Sequence, residues 1–376
     1  MINYRVLNKK FNNIVEQAKV TSKERMSSFA KNLYNIDEEM LQHLWDVPII
    51  DKNSVEEVFP ENLITDDFLI DLEEAVEDQI GDSDAALISY EDITEYLIDN
   101  QLRDKYQNLV QSGTLTEKSD SFIAYDKIKL RQQYYETYFK ALDKGIDEKV
   151  CNKLISDYIS EVFIHERVHY NVDTLLENDK DGYAIVNGAN KIIKDGSRED
   201  EEWENRNEVL VDTLAQMMNN YTEGDTIEDC LYKVIEKRKG QSSQYNEFDD
   251  KDVLSLFVMF PDELTNYAML GAYGDEYSNT LKKLHEQVFG NGEDLTKDNV
   301  LAKAEEYFKS MESSNVSDDK LKRRKEMLQM LNDKTKSNEF KAELATQVYD
   351  ESSIIDSTKN SDNKEIKEIN SNKEER

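Results

Sequence analysis

Cysteine is scarce in this 376-residue chain: Cys151 and Cys230 are the only two, too few for a disulfide-stapled scaffold. Both read as reduced or buried thiols. Proline is rarer than usual at 3 residues, and Pro48, Pro60 and Pro261 each mark a break between helical stretches. Basic residues are outnumbered, 47 against 80 acidic, for a formal charge of -33. Such a surface repels phosphate backbones and anionic lipid, so no nucleic acid and no membrane partner is expected. The simplest role of this acidity is to keep the chain in solution. No apolar run is long enough to span a bilayer, and the start, Met1 to Asn13, has no apolar stretch of the secretory kind. A cytoplasmic location is the expectation, with export by a route lacking a cleaved signal left open.

What is present is helical texture. Hydrophobic residues make up 38% and charged residues 34%, enough for a core beneath many solvated faces. Residues 1–110 read as a helical N-terminal domain with Phe68, Leu69, Leu72 and Val76 at helical spacing. Ser121 to Leu130 has the β-branched, aromatic and partly alternating pattern of a strand. From Lys149 to about Leu176, apolar residues recur every three or four positions, which predicts a long helix. A hairpin is predicted over Tyr183–Ile193, and a second helix from about Glu201 to Tyr221. The expected organisation is a catalytic domain at 111–290, a helical segment at 291–350 and a disordered tail at 351–376. The fold class is α+β, predominantly helical. No internal repeat is present.

Chemistry concentrates in one place. His165-Glu166-Arg167-Val168-His169 lies inside the long predicted helix. Two histidines four apart on a helix sit about 40° apart around its axis, so both imidazoles can reach one metal ion. Zinc takes neutral imidazole nitrogens and, in catalytic sites, keeps a position open for water. Glu166 sits where it can accept a proton from that water. The bland reading, two histidines and a solvated acid on an amphipathic helix, is weighed against the rarity of this pattern in a chain with 4 histidines. The metal reading is favoured. Arg167, one step past Glu166, is expected at solvent or paired with an acid.

The third ligand separates the peptidase subclasses. A metzincin would carry Gly at 172 and His at 175, where this chain has Val172 and Leu175. Asn207-Glu208-Val209-Leu210-Val211-Asp212, on the second helix, resembles the Asn-Glu-x-x-x-Asp element of thermolysin-like gluzincins. The resemblance covers about residues 120–220. It implies a zincin-like core, one Zn2+ per chain held by His165, His169 and Glu208, and Asp212 orienting the far nitrogen of His165. It also implies zinc-dependent hydrolysis of a peptide or protein substrate with Glu166 as general base, and a Tyr or His that stabilises the oxyanion. Candidates for that donor are Tyr183, Tyr267, Tyr273 and His285. Glu204 is the substitute ligand nearest Glu208, and Asp229 a more remote one. The strand near Ala124 to Leu130 is the candidate edge for an extended substrate. The reading from another class is a non-catalytic acidic interaction protein whose metal site is vestigial or structural. Glu166 argues against it, since a structural zinc site needs no base beside its ligands.

Overall fold

A computed structural model describes residues 4–112, 121–173, 175–179, 182–187, 190–193, 198–199, 204–238, 247–270, 280–290, 295–296, 298–311 and 318–332, with only the backbone between 173 and 204. The expected tail at 351–376 lies outside the described residues. Helices dominate and a three-stranded sheet sits among them, a predominantly helical α+β fold. Among the described residues, no helix is long and apolar enough to cross a membrane.

The chain opens with the 31-residue helix α1 (Tyr4–Tyr34), followed by the short α2 (Gln42–Asp46) and strand β1 (Ile49–Asp51). Helix α3 (Asp66–Ile80) starts where Thr65 accepts a hydrogen bond from the Phe68 amide, and it stops at Gly81, whose φ of 46° favours glycine. Strand β2 (Ala85–Ser89), α4 (Tyr90–Tyr96), α5 (Asn100–Gln111) and β3 (Ser121–Tyr125) complete the first part. The strand expected over 121–130 therefore ends early. Asp126 accepts from the Lys129 amide at 2.9 Å and caps α6 (Lys127–Asp143). Alternation stops there because Leu130, Tyr134, Thr137 and Ala141 are buried at helical, not strand, spacing.

In the sheet, β3 is central: β1 pairs with it in parallel and β2 antiparallel, with Leu87 opposite Ile123. All five residues of β3 are buried, because helices cover both faces. Phe122 and Ala124 pack with α3 and α5 residues such as Phe68, Leu72 and Tyr106. Ile123 and Tyr125 face Phe11, Leu130, Tyr134 and Phe163. Two of the three strands come from the segment expected as a separate helical domain, so the sheet spans the boundary placed at residue 110.

Helix α7 (Glu148–Asp173) carries the histidine pair. It runs between two cores, sending Ile155, Ile159 and Phe163 into the one under the sheet and Ile164, Val168 and Val172 into a larger helical one. An antiparallel meander follows, β4 (Leu175–Asp179), β5 (Gly182–Asn187), β6 (Asn190–Ile193) and β7 (Arg198–Glu199), which contains the predicted hairpin and adds a strand on each side. Helix α8 (Glu204–Asn219) then returns along α7. Around them lie α9 (Ile227–Arg238), α10 (Glu247–Met259), α11 (Pro261–Leu270), α12 (Thr280–Phe289), α13 (Val300–Met311) and α14 (Asp318–Asn332). The last two belong to the segment expected as a helical addition. Their Val300, Ala304, Phe308 and Leu328 share the larger core with Val253 and Phe257 of α10.

Candidate metal centre

Helices α7 and α8 meet where their apolar stripes face outward into the large core and a polar strip is left between them. On α8, Val209, Leu210, Leu214 and Met217 are buried, and Glu208 lies on the side turned to α7. There His165 Nε2 and His169 Nε2 are 3.0 Å apart. Glu208 completes a triangle, with Oε2 3.4 Å from His165 Nε2 and Oε1 3.2 Å from His169 Nε2. All three donor atoms fall within 4.8 Å of one another. Donors bound at about 2.0–2.1 Å in a tetrahedral shell around zinc lie about 3.3 Å apart. The observed separations match that spacing, and two imidazoles with one carboxylate are a donor set that zinc accepts.

Glu166 stands beside this triangle, only 8% exposed. Its Oε2 accepts a hydrogen bond of 2.8 Å from the backbone amide of Leu87. Leu87 is mid-strand in β2, and β2 pairs on its other side with β3, so this amide is an outward-facing edge donor. The edge strand beside the site is thus β2 and not the 124–130 segment, whose strand part is the sheet centre.

The two glutamates have opposite electrostatics. Burial pushes Glu166 above the usual carboxylate range, and the pull of His165 and His169 does not cancel it. Burial acts on Glu208 in the same sense, but the His169 charge and the two imidazole hydrogen bonds overcome it and hold the group far below that range. His165 is pushed down by burial and up by the Glu208 hydrogen bond, with a net rise. One carboxylate is held as an anion against the imidazoles. The other is poised nearer to holding a proton, as a proton-transferring group requires.

No known family's sequence profile matches this chain, and no curated protein and no solved structure is similar to it.

The remaining expected positions fall elsewhere. Asp212 does not reach His165: its Oδ2 accepts from Arg238 Nη2 of α9 at 2.5 Å, and it also accepts from Gln216 at 3.2 Å. One turn along α8 from Glu208, it meets a guanidinium before it can meet an imidazole. Asp229 is a helix cap, accepting from the Thr226 amide at 3.0 Å while Thr226 Oγ1 accepts from the Asp229 amide at 3.2 Å. The Glu204 side chain, the Tyr183 side chain and Tyr273 lie outside the described residues. Tyr267 is buried at 2% exposure in the large core. His285 Nε2 lies 3.1 Å from Asp252 Oδ2, in a buried group with Arg206.

Two features escaped the sequence. The Leu87 amide carries no side-chain signal at all, because a backbone donor is supplied by strand position alone. Arg167 is not at solvent, and among the described residues no acid pairs with it. It is 5% exposed, donates to Ser22 Oγ at 2.6 Å and lies over the Trp45 ring at 5.5 Å. Burial pushes its guanidinium down to about 10.

Proposed function

We propose that this protein is a zinc-dependent peptide-bond hydrolase with a zincin-like core, in which His165, His169 and Glu208 hold the ion and Glu166 is the general base. The observation that carries the reading is the convergence of three donor atoms from two helices at zinc-ligand spacing, with a buried carboxylate next to them. A partly buried His-His-Glu set with no metal would leave two imidazole nitrogens in contact beside a half-exposed anion, an arrangement with little reason to be built. When bound, zinc supplies a Lewis acid that polarises a carbonyl and lowers the pKa of water toward about 7.

The chain's own groups supply the rest. Glu166 takes a proton from the attacking water at its carboxylate and returns it to the leaving amide nitrogen. Its burial keeps bulk water away and raises its basicity. The β2 edge orients an extended backbone, because outward amides and carbonyls of an edge strand pair with a peptide laid alongside. Leu87 places that edge next to Glu166. The substrate class is a peptide or an extended segment of a protein.

Metal content of the purified protein tests this directly. About one zinc per chain by elemental mass spectrometry, lost in His165→Ala, is the expected result. Folded protein that takes up no zinc when zinc is offered would overturn the reading.

A further inference from the structure

Hydrogen-bond parity fixes which way the backbone groups of β2 point. Opposite residues of an antiparallel pair either exchange two bonds or both turn their groups away from each other. Ile123 of β3 donates its amide to the carbonyl of Pro48, just ahead of β1, at 2.8 Å. It therefore turns away from Leu87, its partner in register, and Leu87 turns away from it. Ala85, Leu87 and Ser89 point their amides and carbonyls out of the sheet edge, while Ala86 and Ile88 face β3.

Two of these three outward amides already serve a carboxylate. The Ser89 amide donates to Asp92 Oδ2 at 2.6 Å, in the capping box that starts α4. The Leu87 amide donates to Glu166 Oε2 at 2.8 Å. In a strand added to this edge, the acceptor at that place is a peptide carbonyl at about 2.9 Å from the same nitrogen. Glu166 Oε2 thus stands where the carbonyl oxygen of a docked chain would stand. A backbone amide has a single hydrogen to donate, so the two acceptors compete for it. Glu166 is held there by packing, because α7 sends Ile155, Ile159 and Phe163 into the core under the sheet.

We propose that Glu166 is a removable stopper on the β2 edge: at rest its carboxylate fills the place of a substrate carbonyl on the Leu87 amide, and an extended chain that takes this amide releases the carboxylate toward the metal triangle. The role of the released group as a base rests on the function proposed above, whereas the block itself rests on the strand alone. An open edge is a template for unwanted pairing, and the stopper closes it until a chain long enough to reach the outward groups of Ala85 and Leu87 arrives. The exchange trades one N–H···O bond for another, so release costs little beyond the charge-assisted part of the first bond. Peptides too short to reach β2 leave the stopper in place.

Binding of dye-labelled oxidised insulin B chain, an unfolded peptide, to the full-length protein by fluorescence anisotropy tests this without turnover. Glu166→Gln and Glu166→Ala both remove the charge and the base, but only the glutamine keeps an oxygen for the Leu87 amide. Glu166→Ala is expected to bind the peptide about 5- to 10-fold more tightly than Glu166→Gln, the worth of one hydrogen bond. Leu87→Pro deletes the amide at an edge position where no ladder bond is lost, and in that background the two Glu166 variants are expected to bind alike. Circular dichroism checks each fold. If the proline variant does not fold, hydrogen exchange at the Leu87 amide takes its place: slow in Glu166→Gln, fast in Glu166→Ala, and slow again in Glu166→Ala once the peptide is added. Equal affinities of the two Glu166 variants, or a difference that survives in Leu87→Pro, would overturn the stopper. So would a peptide that binds no variant, which would leave the contact as plain edge protection. Zinc content of the same preparations reports separately on the metal centre. Zinc with equal affinities sinks the stopper alone, and tighter binding by Glu166→Ala in a natural chain without zinc sinks the metal centre alone.

Discussion

Two glutamates on adjoining helices are pushed in opposite electrostatic directions by their surroundings. Glu208 faces two imidazoles and is held as an anion, whereas Glu166 is buried with a single backbone amide on its Oε2. Glu166→Gln is therefore expected to keep zinc and lose hydrolysis by about 10²- to 10⁴-fold, the usual worth of a general base. Glu208→Ala is expected to lose both, and Glu208→Ala that retains full zinc would place the third ligand elsewhere. A separate residue-scale prediction concerns Asp252, fully buried and shared by Arg206 at 2.6 Å and His285 at 3.1 Å. Asp252→Ala removes the buried carboxylate that Arg206 and His285 share and should lower unfolding free energy by about 3–5 kcal/mol in urea titrations. A loss below about 1 kcal/mol would mean that the cluster is solvated or redundant.

Elements start and stop here where side chains satisfy backbone groups. Asp126 ends β3 and begins α6, and it also meets Lys52 at 3.0 Å. Burial pushes its carboxyl up, but the Lys129 amide and Lys52 outweigh that, and the folded value lies below the ordinary one. A depressed acid stabilises the fold above its unfolded pKa, about 3.9, and that stability drains away as pH falls through the folded value. Asp126→Ala should thus cost about 1–2 kcal/mol at pH 7. In urea titrations repeated near pH 3, the gap between Asp126→Ala and the natural chain should narrow. An equal gap at both pH values would assign the loss to packing and not to the charge-assisted cap.

At the scale of the whole molecule, α7 binds the parts together, with the sheet core on one side and the helical core on the other. Under the proposed function an ion shared by α7 and α8 would tie α8 to the helix that joins both cores, so metal binding should stabilise the fold as a whole. At free zinc 100-fold above its dissociation constant, the added stability is about 2.7 kcal/mol. A chelator should then lower the melting temperature of the natural chain and leave that of His165→Ala unchanged. Equal shifts in both would trace the effect to zinc bound elsewhere.

The histidine pair was legible in the sequence because a helix repeats every 3.6 residues: a spacing of four puts His165 and His169 on one face, and the apolar pattern said which face was inside. Glu208 came from the likeness to the Asn-Glu-x-x-x-Asp element and not from periodicity, and its approach to the two imidazoles is set by the packing of α8 on α7. The predominantly helical class followed from the same periodicity. What tertiary structure alone decided are the contacts between segments far apart in the chain. It paired Asp212 with Arg238 and not with His165, because the last turn of α9 packs against that side of α8. It moved the site's edge from the 124–130 segment to β2, because β1 takes the other side of β3. It buried Arg167 against Ser22 and Trp45, since α1 and α2 cover that side of α7. Periodicity names the inner face of a helix, but not which neighbour lies against it. That is set by how the faces of all the elements pack at once.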